Sequence, residues 1–191
     1  MDEETISKRR SKYSDREAIF DISRYGVARV LEVTDSSIVQ EFVQFDLMPP
    51  NLRQLAELAY KIHSNSNTKG NLVHGDFGPY NITVSFGDPK CYDYEHTHYG
   101  NIYVDLGRVI LRSCRDVNEV RDFFTNYSGA IPSTDELREG LISFCEWQHL
   151  IRAEKGLLFQ EVPLIRRERL FSARSELDDL LEAFKSEVVV K

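Results

Sequence analysis

Several features that mark common protein classes are scarce in this chain. Its 191 residues include three cysteines and one tryptophan, and no apolar run approaches the ~20 residues of a membrane span. The odd, widely scattered Cys91, Cys114 and Cys145 argue against a disulfide framework or a zinc site and predict buried thiols in a reducing compartment. The N-terminus, Met1-Asp2-Glu3-Glu4, is acidic and lacks the apolar core of a signal peptide. We therefore expect a cytoplasmic protein with no membrane partner.

Basic residues are also fewer than acidic residues. The chain has 24 Lys and Arg residues against 31 Asp and Glu residues, a net charge of −7. A nucleic-acid partner needs a basic surface, so none is expected, whereas a cationic small substrate is compatible with this balance. The basic cluster at residues 8–12 is interpreted as a solvated face in preference to a phosphate or nucleic-acid contact. The length predicts one globular domain, or one domain with a small lobe.

The front of the chain predicts a helix followed by two strands. Ser14 and Glu17 have the spacing of a capping box, with Ser14 as the N-cap. The helix that follows is expected to end at Gly26. Residues 27–33 and 38–43 are rich in β-branched side chains and predict two strands joined by a turn.

The rest of the chain predicts helices and one hairpin. After a linker at residues 44–50, Asn51 caps an amphipathic helix. Residues 82–86 and 91–94 predict two short strands, joined by a turn at residues 87–90. Further helices are predicted at 104–112, 117–126, 135–155 (after a capping box at Ser133 and Glu136) and 164–185. The fold class is therefore α+β.

The most informative segment is His74-Gly75-Asp76-Phe77-Gly78-Pro79-Tyr80-Asn81. Asp93 follows on the other arm of the predicted hairpin, so we expect Asn81 and Asp93 to be neighbours. In phosphoryl transfer one carboxylate deprotonates a hydroxyl, while amide and carboxylate oxygens hold magnesium on a nucleotide's phosphates. The pattern therefore predicts Asp76 as the base and Asn81 and Asp93 as magnesium ligands. A set of turn residues is the alternative, because Asp, Asn, Gly and Pro all favour turns.

Other polar and aromatic residues near this segment carry weaker predictions. His74 is expected to be buried and to hold the loop rigid. Asp105 starts a predicted helix, where the helix dipole favours a carboxylate. His96 and His98 share a face and could ligate a metal, but with no third ligand evident we interpret them as surface or substrate-pocket residues. Trp147 is predicted to be part of the core.

Three short motifs resemble those of the aminoglycoside phosphotransferase and choline kinase-like family. They are His74-Gly75-Asp76 with Asn81, Asp93-Tyr94-Glu95, and Asp105-Leu106-Gly107. The resemblance implies the C-terminal lobe of a protein-kinase-like fold, with ATP or GTP as co-substrate and Mg²⁺ as cofactor. It also implies Asp76 as catalytic base, Asn81 and Asp93 as metal ligands, and Asp105 as a brace for the loop that carries His74. The resemblance is strongest over residues 38–112.

The front of the chain resembles part of the family's N-terminal lobe. The resemblance implies a partial lobe at residues 1–45 (a helix, short antiparallel strands and a hinge) and a helical C-terminal lobe at residues 46–191. The strand at 38–43 resembles the hinge. The backbone of Glu41, Phe42 and Val43 would then bind adenine.

Lys8 resembles the strand lysine of that lobe, and Glu17 resembles the helix glutamate that pairs with it. Arg9 and Lys12 are rivals for the role of Lys8. Only seven residues precede Lys8, and none is glycine. We therefore expect a reduced lobe without the family's glycine-rich hairpin, a shortened sequence, or a protein that no longer catalyses.

These patterns lead to one preferred function and two alternatives. The preferred function is ATP-dependent transfer of a γ-phosphoryl group to a hydroxyl of an amino sugar, aminoglycoside or amino alcohol. One alternative is an atypical protein serine kinase of the RIO-like or archaeal type. The other is a nucleotide-binding pseudokinase module that lacks the glycine-rich loop. The sequence indicates neither the acceptor nor the oligomeric state.

Overall fold

A computed structural model describes residues 5–43, 48–130 and 132–155, and the helix predicted at 164–185 lies outside these ranges. The described residues form a mixed α+β structure. Its elements are β1 (Thr5–Arg9), α1 (Arg16–Ile22), β2 (Val30–Val33), β3 (Ser37–Glu41), α2 (Leu52–His63), β4 (Ser66–Asn67), β5 (Gly70–Val73), β6 (Ile82–Ser85), β7 (Asp88–Cys91), β8 (His98–Gly100), α3 (Tyr103–Ser113), α4 (Val117–Tyr127) and α5 (Thr134–Glu154). No helix within these ranges is long and apolar enough to cross a bilayer.

The first three strands form an antiparallel sheet with β3 at its centre, in the order β1-β3-β2. Lys8 of β1 lies opposite Ile38 of β3, and α1 connects β1 to β2. The strand predicted at 27–33 begins only at Val30. The preceding segment is held elsewhere, because the backbone N–H of Val27 donates to the carbonyl of Cys91 at 3.0 Å.

Helix α1 begins one residue later than predicted. Oδ1 of Asp15 accepts hydrogen bonds from the backbone N–H groups of Glu17 and Ala18, so Asp15 is the N-cap. The predicted capping box of Ser14 and Glu17 is therefore wrong. The hydroxyl of buried Ser14 donates instead to the carbonyl of Ser11 at 2.7 Å. Ser and Asp are both favourable N-cap residues, and of the adjacent Ser14 and Asp15 it is Asp15 that caps the helix.

The two other predicted N-caps, Asn51 and Ser133, are confirmed. Asn51 and Gln54 form a reciprocal capping box at the start of α2, and Ser133 and Glu136 form one at the start of α5. Each box satisfies two backbone N–H groups that have no partner within the helix.

The predicted hairpin is present, but its turn is shorter than expected. Strands β6 and β7 pair from Ile82 opposite Cys91 to Ser85 opposite Asp88. Only Phe86 and Gly87 remain in the turn, with φ angles of 51° and 88°. Two consecutive residues of positive φ match the right-handed twist of a hairpin, so the strand begins at Asp88. The prediction of a strand at 91–94 is wrong, because β7 ends at Cys91 and Asp93 lies after the hairpin, not on its arm.

One apolar cluster runs from α1 through α2 and the hairpin to α3, α4 and α5. Helix α2 packs on α4, and α3 packs on α5. Two aromatic residues of the motifs, Phe77 and Tyr94, are almost completely buried in this cluster. The loops that carry the predicted site are therefore anchored in the core.

Candidate active site

The loop after β5 has a backbone shape that requires glycine at one position. Gly75 has a φ of 81°, and a Cβ atom there would overlap the carbonyl oxygen of His96. Its own carbonyl accepts a hydrogen bond of 2.7 Å from the indole Nε1 of Trp147 on α5. Trp147 is part of the core, as predicted, and it also fixes this loop.

The carboxylate of Asp105 holds the same loop from α3. Oδ2 accepts from the backbone N–H of His74 at 2.8 Å, and Oδ1 accepts from the backbone N–H of Gly75 at 2.9 Å. Nε2 of His63 lies 3.1 Å from Oδ2. Burial raises the pKa of Asp105, but the hydrogen bond and charge of His63, together with the backbone N–H of His74, outweigh it, so its pKa lies below the usual value. Asp105 is therefore a buried, ionised group on which the loop is built.

The ring of His74 links the loop to the end of the hairpin. Its Nε2 lies 2.9 Å from the carbonyl oxygen of Tyr92, and its Nδ1 accepts from the backbone N–H of Asp76 at 3.3 Å. The Tyr92 carbonyl can only accept a hydrogen bond and the Asp76 N–H can only donate one, so the neutral ring of His74 carries its proton on Nε2. Complete burial lowers the pKa of His74, which favours the neutral ring.

Asp76 and Asn81 contact each other across the loop. Nδ2 of Asn81 donates to Oδ2 of Asp76 and to its backbone carbonyl, at 2.9 Å in each case. The amide oxygen of Asn81 is the atom left to act as a metal ligand. The other carboxylate oxygen of Asp76 forms an ion pair with Arg108. Arg108 was not predicted as a site residue, and its only signal in the sequence is its place directly after the Asp105-Leu106-Gly107 motif.

Asp93 directly follows Tyr92, whose backbone is bonded to this loop on both sides. The N–H of Tyr92 donates to the carbonyl of Asn81 at 3.0 Å, and its carbonyl contacts His74. Asp93 itself has φ 66° and ψ 64°, a left-handed conformation that non-glycine residues rarely adopt. Strained backbone of this kind is concentrated at functional sites.

The side chains present fit a magnesium ion held together with a nucleotide. Among the described residues, no three His, Cys, Asp or Glu side chains are grouped to hold a metal by themselves. Magnesium in nucleotide sites is commonly bound by one or two protein oxygens, with phosphate oxygens and water completing the shell. An amide oxygen of Asn81 and a carboxylate of Asp93 match that donor set.

Lys8 reaches this site from the N-terminal sheet. Its Nζ lies 3.0 Å from Oδ1 of Asp93. The expected pairing of Lys8 with Glu17 is not formed. Glu17 is exposed at the start of α1, where it lines an open depression that Lys69 also lines. The rival candidates are not placed like Lys8, since the side chain of Arg9 is exposed and Lys12 lies over the ring of Tyr13.

The predicted hinge residues follow the central strand of the N-terminal sheet. The backbone N–H of Glu41 donates to the carbonyl of Arg29 at 3.0 Å, so this donor is already used within the sheet. Phe42 and Val43 lie beyond the end of β3, and their side chains are 49% and 36% exposed. An adenine contact at the hinge would therefore fall to Phe42 and Val43.

His96 and His98 were predicted to be surface or substrate-pocket residues, and the first of these alternatives is wrong for His96. His96 is 2% exposed, and its Nε2 lies 2.9 Å from Glu95. His98 is half-buried and stacks on Trp147 with ring centroids 4.2 Å apart. Both belong to the packing behind the loop.

The fold matches that of a known kinase. The chain aligns with the crystal structure of choline kinase LicA from Streptococcus pneumoniae with a TM-score of 0.61 and 14% sequence identity, over 93% of this chain and 87% of that chain. The chain therefore has a choline kinase-like fold, which confirms the predicted kinase-like α+β class. No protein-family model and no curated protein matches the sequence.

Proposed function

We propose that this chain is a magnesium-dependent phosphotransferase of the aminoglycoside phosphotransferase and choline kinase-like family. It would transfer the γ-phosphoryl group of ATP, or of GTP, to a hydroxyl group of a small molecule. Three contacts support the proposal. Asn81 is bonded to Asp76, the backbone of Tyr92, which precedes Asp93, is bonded to Asn81, and Lys8 reaches Asp93 from the N-terminal sheet.

Asp76 is the base in this proposal. The acceptor's hydroxyl oxygen forms a bond to the γ-phosphorus, while the bond from that phosphorus to the β,γ-bridging oxygen breaks. The electron pair leaves with ADP, and the hydroxyl proton passes to the carboxylate of Asp76. Asn81 holds Oδ2 of Asp76 by a 2.9 Å hydrogen bond and so fixes the orientation of the carboxylate.

Asn81 and Asp93 would hold the magnesium ion, with phosphate oxygens as further ligands. When bound, the ion supplies positive charge to the phosphates. Lys8 is the group that would contact the nucleotide's phosphates, since its Nζ already lies beside Asp93. Phe42 and Val43 would offer backbone groups to the adenine.

The acceptor class rests on two observations. The structurally similar LicA is a choline kinase, so its name indicates an alcohol that carries a positive charge. The net charge of −7 on this chain is compatible with a cationic acceptor. We therefore include amino alcohols, amino sugars and aminoglycosides in the acceptor class.

The test is a transfer assay on the full chain with Mg-ATP. Choline, ethanolamine, glucosamine and kanamycin are offered singly, and the phosphorylated product and ADP are measured by mass spectrometry. A product that requires magnesium and disappears in Asp76→Asn supports the proposal. Labelling of a protein in place of every small acceptor would favour a protein kinase, and nucleotide binding without transfer would favour a binding module. No binding of Mg-ATP at millimolar concentration contradicts the proposal.

A further inference from the structure

Arg108 is a nearly buried cation in contact with the proposed base. It lies on α3, three positions after Asp105, and its Nη1 forms an ion pair with Oδ1 of Asp76. Its side chain is 12% exposed. A charge of this kind is costly to bury without a partner, and Asp76 is a partner of Arg108. The proposed roles of Asp76, Asn81 and Asp93 do not yet give this arginine a part in the reaction.

The local structure holds Arg108 in place from two sides. Asp105, on the same helix, is bonded to the backbone of His74 and Gly75, so the helix and the loop are fixed relative to each other. Gly78 lies in the loop between Asp76 and Asn81. A Cβ atom there would lie 3.1 Å from Nε of Arg108, so the missing side chain leaves space for the guanidinium to lie across the loop.

The two oxygens of Asp76 thus face two different groups. Oδ2 accepts from the neutral amide of Asn81, and Oδ1 faces the cation of Arg108. Asn81 is sufficient to orient the carboxylate. A cation on the other oxygen is placed where an acceptor hydroxyl and a transferred phosphoryl group must both approach Asp76.

Phosphoryl transfer benefits from such a cation more than from further orientation. Charge is spread over the three equatorial oxygens of the moving group, and the protein stabilises it mainly by fixed positive charge. A guanidinium presents several N–H donors in a plane and binds carboxylate and phosphoryl oxygens together, which a single ammonium group does less well.

We propose that Arg108 is a further catalytic residue that contacts the oxygens of the transferred phosphoryl group while it holds Asp76. Arg108 neither gains nor loses a proton in the step. It acts on the transition state more than on the bound nucleotide, so it lowers the barrier without tightening ground-state binding. This role rests on the proposed function of the chain.

The test uses calorimetry to compare how the full-length chain binds Mg-ADP alone and Mg-ADP with aluminium fluoride. Aluminium fluoride mimics the phosphoryl group in the transition state of transfer. In Arg108→Gln, affinity for the aluminium fluoride complex should fall about 100-fold or more, while affinity for Mg-ADP should change less than about threefold, because ADP lacks the transferred group. Arg108→Lys keeps the charge and should show an intermediate loss.

Arg115→Gln is the matched control, since Arg115 is 86% exposed and pairs with Glu119 at the surface. It should bind both complexes like the unmutated chain. Circular dichroism establishes that each variant is folded, and Arg108→Lys carries the test if Arg108→Gln does not fold.

Two results would overturn the role of Arg108 and are distinguishable from each other. If the unmutated chain prefers the aluminium fluoride complex and the Arg108 variants keep that preference, or lose affinity for both complexes equally, Arg108 is not catalytic while the proposed function stands. If the unmutated chain binds neither complex, the proposed function and the role of Arg108 fail together.

Discussion

Lys8 and Asp93 are 85 residues apart in the chain, and their side chains meet at 3.0 Å. The contact joins the edge strand of the N-terminal sheet to the residue that follows the hairpin. Both side chains are about one-third exposed, at 34% and 33%. Both partners are therefore accessible to solvent, which the proposed binding of phosphates and a metal ion requires.

Replacement of Lys8 by Met should affect nucleotide binding more than stability. A partly exposed ion pair contributes only about 0–1 kcal/mol to folding, so the free energy of unfolding should change by no more than that. A charge-assisted hydrogen bond to a phosphate contributes about 1.5–3 kcal/mol, so Mg-ATP affinity should fall about tenfold or more. Urea unfolding and calorimetry measure the two effects.

Lys12→Met is the control for this variant, because Lys12 is exposed and contacts the ring of Tyr13. It should leave Mg-ATP affinity unchanged. Equal losses in Lys8→Met and Lys12→Met would remove Lys8 from the nucleotide site.

Asp76→Asn should retain nucleotide binding and lose phosphoryl transfer. The replacement keeps an oxygen that accepts from Asn81 but cannot take the acceptor's proton. Loss of a general base lowers the rate by about 10²–10⁴. Single-turnover transfer from labelled ATP measures the rate, and calorimetry measures binding. A variant that transfers phosphate at the unmutated rate would show that Asp76 is not the base.

Asp105→Ala should destabilise the fold. The change leaves the backbone N–H groups of His74 and Gly75 without their acceptor in the core. Removing one partner of a buried charged network costs about 3–5 kcal/mol. Asp135→Ala is the control, because that side chain is 93% exposed and should cost about 0.5 kcal/mol or less. Urea unfolding compares the two, and similar losses would contradict the bracing role of Asp105.

Stability should fall when the pH drops below about 6.5. Burial lowers the pKa of both His74 and His98. Below pH 6.5 the unfolded chain binds protons at these rings while the folded chain does not, so the free energy of unfolding decreases as the pH falls toward their folded pKa values. Each ring contributes a slope of up to about 1.4 kcal/mol per pH unit.

Urea unfolding between pH 5 and 7.5 measures this slope. The variant His74→Asn should reduce the slope, leaving the contribution of His98. An unchanged slope in the variant would mean that His74 is not buried in its neutral form.

Most features set by neighbouring residues were predicted from the sequence. The Asn51 cap of α2 and the capping box of α5 form because the partners lie within one helical turn. The box predicted for α1 was wrong because the adjacent Asp15 caps that helix. The hairpin forms because its two arms are close in sequence. Its turn was misplaced because Phe86, which is not a typical turn residue, adopts a positive φ beside Gly87.

Features set by distant contacts were not predictable in the same way. Glu17 fits a pattern that pairs it with Lys8, yet Lys8 lies beside Asp93. The ion pair of Arg108 with Asp76 depends on how α3 packs against the loop, which no local pattern encodes. A histidine in a polar segment such as His96 is expected at the surface, but the backbone of Gly75 packs against it and it is buried. The residue types of the site follow from the sequence, while their partners follow from the tertiary fold.

Calorimetric titration of ATP with and without Mg²⁺ tests whether Asn81 and Asp93 bind a nucleotide through magnesium. Asp93→Asn is the variant to compare, because Asn also tolerates the left-handed backbone at this position. We expect the unmutated chain to bind ATP only weakly without Mg²⁺ and more tightly with it, and Asp93→Asn to lose this dependence. ATP affinity that is the same with and without Mg²⁺ in the unmutated chain, or a magnesium dependence that survives in Asp93→Asn, would contradict this expectation.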